Sequence, residues 1–162
     1  MGEERREYEW LFRAAYPGVL RTAFLIVHDR GRAEEVSQEA FLQLLEHWGR
    51  VSQYERPDAW VRRVAIRMAV KQAKRDRSRV VLERSVRPVR EDPAPDIDLS
   101  RAIATLAPMQ RAVVVLYYLE DRPVLEIARV LQVSESTIKQ HLHRARARLA
   151  VLLDEEVTED VR

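Results

Sequence analysis

Cysteine is absent from all 162 residues, which excludes disulfides, Cys-ligated zinc and thiol nucleophiles together. Glycine occurs four times, at Gly2, Gly18, Gly31 and Gly49, too scattered to build a phosphate-cradling loop. The four histidines form no metal-ligand cluster, so neither a metal nor a cofactor is expected. Long apolar runs are missing too. Ala23 to Val27, Ala112 to Leu116 and Leu149 to Leu153 are the longest, so none spans a bilayer and no membrane insertion is expected. No basic start leads into an apolar stretch and a small-residue cleavage site, and a cytoplasmic protein is the expectation. No nucleophile–base set or paired carboxylates emerge, since Glu34 and Glu35 are adjacent and diverge on a helix. The chain is not expected to be an enzyme.

What the chain has is charge, unevenly placed. It is 33% charged and 46% hydrophobic, a globular composition, with a net charge of only +2. From Trp60 to Val80 there are eight basic residues against the single acid Asp76. From Lys139 to Leu149 there are four, with two histidines and no acid. Ala33 to Glu46 holds four Glu and no base, and Asp154 to Asp160 holds five acids. Two separate basic patches suit two nucleic-acid contacts, although solvated helix faces give a similar pattern.

Periodicity predicts an all-α chain of two small helical domains. Tyr8 to Val27 is apolar on more than one side, which predicts a deeply buried middle, and His28 to Arg32 supplies a turn. Ala33, Val36, Ala40, Leu44 and Trp48 recur at spacings of three and four, widened by Phe41 and Leu45, as in an amphipathic helix. A third helix should start near Pro57, with Trp60, Val61, Val64, Ala65, Met68 and Ala69 buried. After Arg79 the pattern lapses into a segment holding Pro88, Pro93 and Pro95, read as a flexible linker. Two helices follow from Leu99 to Leu119. The expected boundaries are a first domain at 1–79, a linker at 80–98, a second domain at 99–153 and an acidic tail at 154–162.

The second domain ends in a helix-turn-helix pattern. Pro123 to Leu131 reads as a short helix with Ile127, Ala128 and Leu131 inward; Gln132-Val133 as a tight turn; Ser134 as a cap. Ile138, Leu142, Ala145, Leu149 and Leu152 then form one apolar stripe, so Lys139, Gln140, His143 and Arg144 face elsewhere. Such donors near a helix start reach base edges and phosphates from the major groove.

The segment SESTIKQHLHRARARL resembles the recognition helix of extracytoplasmic-function sigma factors, compact sigma subunits of bacterial RNA polymerase. Upstream, LAPMQRAVVVLYYLEDRPVLEIARVL fits the same family. In the first half, YPGVLRTAFLIVHDRGRAEEVSQEAFLQLLEHW and RPDAWVRRVAIRMAVKQAKR resemble its other conserved domain, in the family's order. The resemblance covers roughly Tyr8 to Leu153. It implies an alternative sigma factor that binds core polymerase and promoter DNA, and leaves room for an anti-sigma factor as a further partner.

The resemblance also implies site residues. Glu35, Gln38 and Glu39 match the polymerase-docking helix; four Glu without a base suit an isolated helix poorly. Ser52, Arg56, Trp60, Arg63, Arg67, Lys71 and Lys74 would meet the minus-ten element, with a flipped base near the Ser52 to Arg56 loop. Trp60 reads as a core residue first and a melting wedge second. Lys139, Gln140 and His143 match base-reading positions for the minus-thirty-five element, and Thr137, His141, Arg144 and Arg146 its phosphate contacts. This chain departs from the family at Arg67, where Asn is usual, at Lys71, often an acid, and at Ser136, commonly Gly. In the linker, Glu91, Asp92, Asp96 and Asp98 could mimic nucleic acid or act as a passive spacer. The competing reading is a helix-turn-helix regulator that binds DNA without core polymerase. It leaves the first 80 residues unexplained.

Overall fold

The computed structural model describes residues 2–82 and 97–160, and among them every regular element is helical. Two compact units divide the chain at 72/73, within one long helix.

In the first unit, α1 (Gly2–Val27) and α2 (Arg30–Glu46) pack against each other. Their turn is shorter than expected, only His28 and Asp29. His28 takes a positive φ of 53°, and the Asp29 side chain accepts the Arg32 N–H to cap α2. The middle of α1 is not deeply buried. Its fully covered side chains are Leu11, then Val19, Thr22, Ala23, Ile26 and Val27 toward the C-terminal end, with Phe12, Ala15, Tyr16 and Gly18 half-buried between them. Gly18 lies under Arg62, whose Nη2 would stand 3.0 Å from an added Cβ, so a side chain here would displace that arginine.

Helix α2 stops at Glu46, and Trp48 belongs to a separate single turn, α3 (Trp48–Val51). Trp48 is buried all the same, while Leu45, expected in the apolar stripe, is 52% exposed. Phe41, Leu44, Val51 and Val61 close the core, flanked by Tyr8, Phe12 and Tyr16. Phe12 stacks on Tyr16 and meets Phe41 edge-on, both at 4.9 Å between centroids, and the Tyr8 hydroxyl donates to the Phe41 carbonyl at 2.8 Å. Burial lifts the Tyr8 hydroxyl above its ordinary pKa.

Helix α4 (Pro57–Leu82) starts at Pro57 as expected. Val61, Ala65 and Ala69 are buried, whereas Trp60, Val64 and Met68 are half-buried at the margin. Ile66, Val70 and Ala73 are covered too, so α4 is enclosed on two sides and a single stripe under-reads it. The helix runs past Arg79 to Leu82, and the next begins at Ile97. Glu91, Asp92 and Asp96 therefore lie outside the described residues, and Asp98 is in α5.

The second unit joins α5 (Ile97–Ala104), α6 (Pro108–Val114), a π-helical turn (Val115–Leu119), α7 (Val124–Leu131) and α8 (Glu135–Asp160). Ile103, Leu106, Val113, Leu116, Ile127, Ile138 and Leu142 are buried. Val130 is buried in α7, and Leu131, expected inward, is half-buried. Arg111 caps the end of α5, donating through Nη2 to the carbonyls of Ala104 at 2.8 Å and Leu106 at 3.2 Å. Arg122 bridges Glu120 and Glu126 at 2.8 and 3.0 Å. The acidic segment from Asp154 is not a separate tail as far as Asp160: it continues α8.

Candidate nucleic-acid and polymerase interfaces

The acidic helix α2 turns Glu35, Gln38 and Glu39 outward, all exposed. Glu35 has only a loose partner, Arg32 at 3.7 Å, and Glu39 accepts from Gln43 at 3.4 Å. Leu42 and Leu45, 54% and 52% exposed, continue this face at helical spacing from Gln38. Acids beside uncovered leucines form an amphipathic surface that no other element covers among the described residues. Sequence reasoning missed Leu42 and assigned Leu45 to the core, because the α2 stripe is narrower than its leucines suggest.

The basic helix α4 carries four of its eight cations on one face. Trp60, Arg63, Arg67 and Lys71 follow each other at helical spacing, and Lys74 continues the stripe in the part of α4 that belongs to the second unit. Arg63, Lys71 and Lys74 are exposed. Burial, and then the charge of Arg63, holds the Arg67 guanidinium below its usual pKa, yet leaves it cationic. A row of like charges of this kind is relieved by an anionic partner.

Trp60 sits half-buried against the core cluster, its ring 5.9 Å from that of His47. This agrees with the core role and leaves one edge at the surface. In the preceding loop Ser52 is half-buried and closes α3, its N–H donating to the Trp48 carbonyl at 2.8 Å. Arg56 is not a loose cation: it holds both carboxylate oxygens of Asp58, at 3.0 and 2.8 Å. That hydrogen-bonded pairing draws the Asp58 carboxyl below its ordinary pKa. Beside the loop lies a groove of about 860 Å³, lined by Trp10, Trp48, Ser52, Asp58 and Arg62 among others. Trp10 is 72% exposed there. Its position outside the α1 apolar stripe was the available signal.

In the helix-turn-helix, Gln132 adopts the left-handed conformation (φ 58°) that ends α7, and the Val133 N–H bonds back to the Ala128 carbonyl at 3.1 Å. Ser134 caps α8: its Oγ accepts the Thr137 N–H at 3.2 Å and lies 2.8 Å from the Thr137 hydroxyl. Ser136 joins this hydroxyl group at 2.9 Å from Ser134. Thr137 is thus half-buried within the cap.

Lys139, Gln140, His143 and Arg144 are exposed along α8, opposite the buried Ile138, Leu142 and Ala145. His141 differs from them. It is half-buried, and its Nδ1 is covered with no hydrogen-bond partner among the described residues. Burial first, then the charges of Arg144 and Lys74, hold its imidazole below its ordinary pKa. Arg146 is exposed but engaged: its Nε–H donates to the Tyr118 hydroxyl, and its guanidinium carbon lies 5.8 and 5.6 Å from the rings of Tyr117 and Tyr118. The Tyr118 hydrogen bond raises the Arg146 pKa further. This contact joins positions far apart in sequence, and only the adjacent tyrosines hinted at it.

Among the described residues no group of His, Asp and Glu is placed to hold a metal, and no helix is long and apolar enough to cross a membrane.

The sequence matches the family description Sigma-70 region 2 over residues 11–80 and Sigma-70, region 4 over residues 96–149. It is 32% identical over 151 residues to the RNA polymerase sigma-E factor of Streptomyces coelicolor, covering 88% of this chain and 84% of that one. It is 29% identical over 154 residues to the ECF RNA polymerase sigma factor SigM of Mycobacterium tuberculosis, covering 93% and 79%. In fold it resembles the sigma factor RpoE of Bartonella quintana, solved with the anti-sigma factor NepR: TM-score 0.70, 17% identity, covering 92% of this chain and 98% of that one.

Proposed function

The chain belongs to the sigma-70 family as an extracytoplasmic-function member, an alternative sigma factor that binds core RNA polymerase and directs promoter-specific initiation; from that premise we propose how its residues divide the work. The observation that carries the reading is the pair of family regions in one chain, in order, at 11–80 and 96–149. A free-standing helix-turn-helix regulator has no need of the first.

Residues 1–79 form the docking and minus-ten domain. Glu35, Gln38 and Glu39 meet a basic surface of core polymerase, with Leu42 and Leu45 as apolar anchors beside them. Acids supply orientation and association rate, and apolar side chains driven into pockets supply most of the affinity. On α4, Arg63, Arg67, Lys71 and Lys74 follow the phosphates of the minus-ten element where its strands part. Ser52, Arg56 and the exposed edge of Trp60 line the site of the unstacked base. Unstacking costs a few kcal/mol per base, offset by pocket contacts and phosphate binding. Arg67 and Lys71 add charge where relatives commonly carry Asn or an acid, so phosphate binding weighs more here.

Residues 99–153 form the minus-thirty-five domain. Lys139, Gln140 and His143 read base edges from the start of α8, while Arg144 and Arg146 hold phosphates. Thr137 contributes through the cap, and the half-buried His141 meets a phosphate beside it. Residues 80–98 span the two domains, and Asp154 onward adds an acidic end. The chain carries no catalysis of its own and works in the cytoplasm, where core polymerase supplies the chemistry. The Bartonella sigma factor was solved in complex with the anti-sigma factor NepR, and an anti-sigma factor is a further partner open to this chain.

In vitro transcription decides the reading. Purified chain with matching core polymerase yields specific start sites on genomic fragments, and core alone does not. No specific transcript from any fragment overturns it. DNA binding without co-purification of core polymerase favours the free-standing regulator.

A further inference from the structure

We propose that Tyr118 is a positioning residue for Arg146, holding its guanidinium as a preset phosphate clamp on the DNA-facing side of α8. The inference rests on α8 being the promoter-reading helix and deepens that reading by assigning how one of its cations is aimed.

Arg146 lies on the reading face. Lys139, His143 and Arg146 recur at i, i+4 and i+7, so all three project along one stripe, with Arg146 at its far end, where a straight helix leaves a curving groove. Among the described residues, the cation–π contacts both belong to Arg146. The two rings stand at 82° to each other with centroids 4.9 Å apart, and the guanidinium rests against both.

Tyr117 and Tyr118 both lie in the π-helical turn Val115–Leu119, a kind of coil often found at functional sites, and both rings meet the Arg146 guanidinium.

The chemistry favours presentation of the cation. A guanidinium offers five N–H donors, and its terminal nitrogens form the fork that matches a phosphate. Tyr118 uses the Nε–H, which fixes the plane of the group. An unheld arginine loses rotamer freedom when it grips a phosphate, and one already ordered has less to lose. Folding gains little from the pair, since Tyr118 is 51% exposed and Arg146 is exposed as well.

The test uses core polymerase reconstituted with the full chain, and its equilibrium binding to a promoter fragment transcribed by the wild type, across a range of salt. The wild-type complex tests the sigma reading itself; the variants test the clasp. Tyr118→Phe removes only the hydroxyl and lowers affinity about three- to tenfold with the salt slope kept, because the charge remains. Arg146→Ala lowers affinity at least as far and reduces the salt slope by about one. The double variant binds no more weakly than Arg146→Ala alone, and Arg146→Lys, which lacks the fork, makes Tyr118→Phe silent. Both single variants keep the wild-type thermal midpoint. The proposal is overturned by wild-type affinity in Tyr118→Phe, by tighter binding in it (a clasp that hides Arg146), or by additive losses in the double variant.

Discussion

Arg56 and Asp58 sit two residues apart at the start of α4 and share a bidentate ion pair, so a cation expected at the minus-ten element already has a carboxylate on it. The pair depresses the Asp58 pKa, and its contribution to stability is present above the unfolded carboxylate value of about 3.9 and is lost as pH falls through the lower folded value. Solvent screening keeps that contribution small, about 1 kcal/mol or less. Asp58→Asn should therefore lower the thermal midpoint slightly at pH 7, and the gap should close in strong acid. A gap that stays constant across this range would show that the ion pair does not hold the loop.

The face of α2 proposed to dock core polymerase is exposed, so its role in binding is separable from folding. Glu35→Arg should leave stability within about 0.5 kcal/mol of wild type, since the residue is exposed and only loosely paired. Affinity for core polymerase should drop by about tenfold or more, because the reversed charge meets a basic surface. Pull-down titration with core polymerase measures this; unchanged affinity removes α2 as the docking surface.

Base reading and backbone holding on α8 leave different marks. Gln140→Ala should change the preferred base at one position of the minus-thirty-five element, a loss of about 1–3 kcal/mol against the wild-type choice. Selection from randomised upstream elements reads this out. If preferences at every position match wild type, Gln140 does not read bases and the register of α8 in the groove is wrong.

The Ser134 cap holds the start of α8, the helix proposed to read the promoter. Ser134→Ala leaves the Thr137 N–H without its acceptor and should cost about 1 kcal/mol, measured by chemical denaturation. Ser134→Asp should restore the loss, since a carboxylate caps equally well at a helix N-terminus. Equal stability in all three proteins would show that the hydroxyl group around Ser134 contributes nothing to the start of the recognition helix.

Much of this protein was already determined by local sequence. Pro57 at a helix start, Ser134 as a cap, Gln132-Val133 as a turn and the Ile138–Leu142–Ala145 stripe are decided within a few residues, by backbone chemistry and the 3.6-residue period. The uneven charge was equally legible, because exposed charged residues need no partner to remain where the helix puts them. Tertiary structure decided the rest. Periodicity tells which residues are apolar but not how much of each face a neighbour covers, so Leu45 went outward, Trp48 entered the core from a separate turn, and α4 was covered on two sides. His141 and Arg146 were alike in sequence as donors on a basic helix. Burial lowers the pKa of one, and the Tyr118 hydroxyl 28 residues upstream holds the other. Both outcomes depend on groups distant in the chain, whose approach is set by packing and by no local pattern.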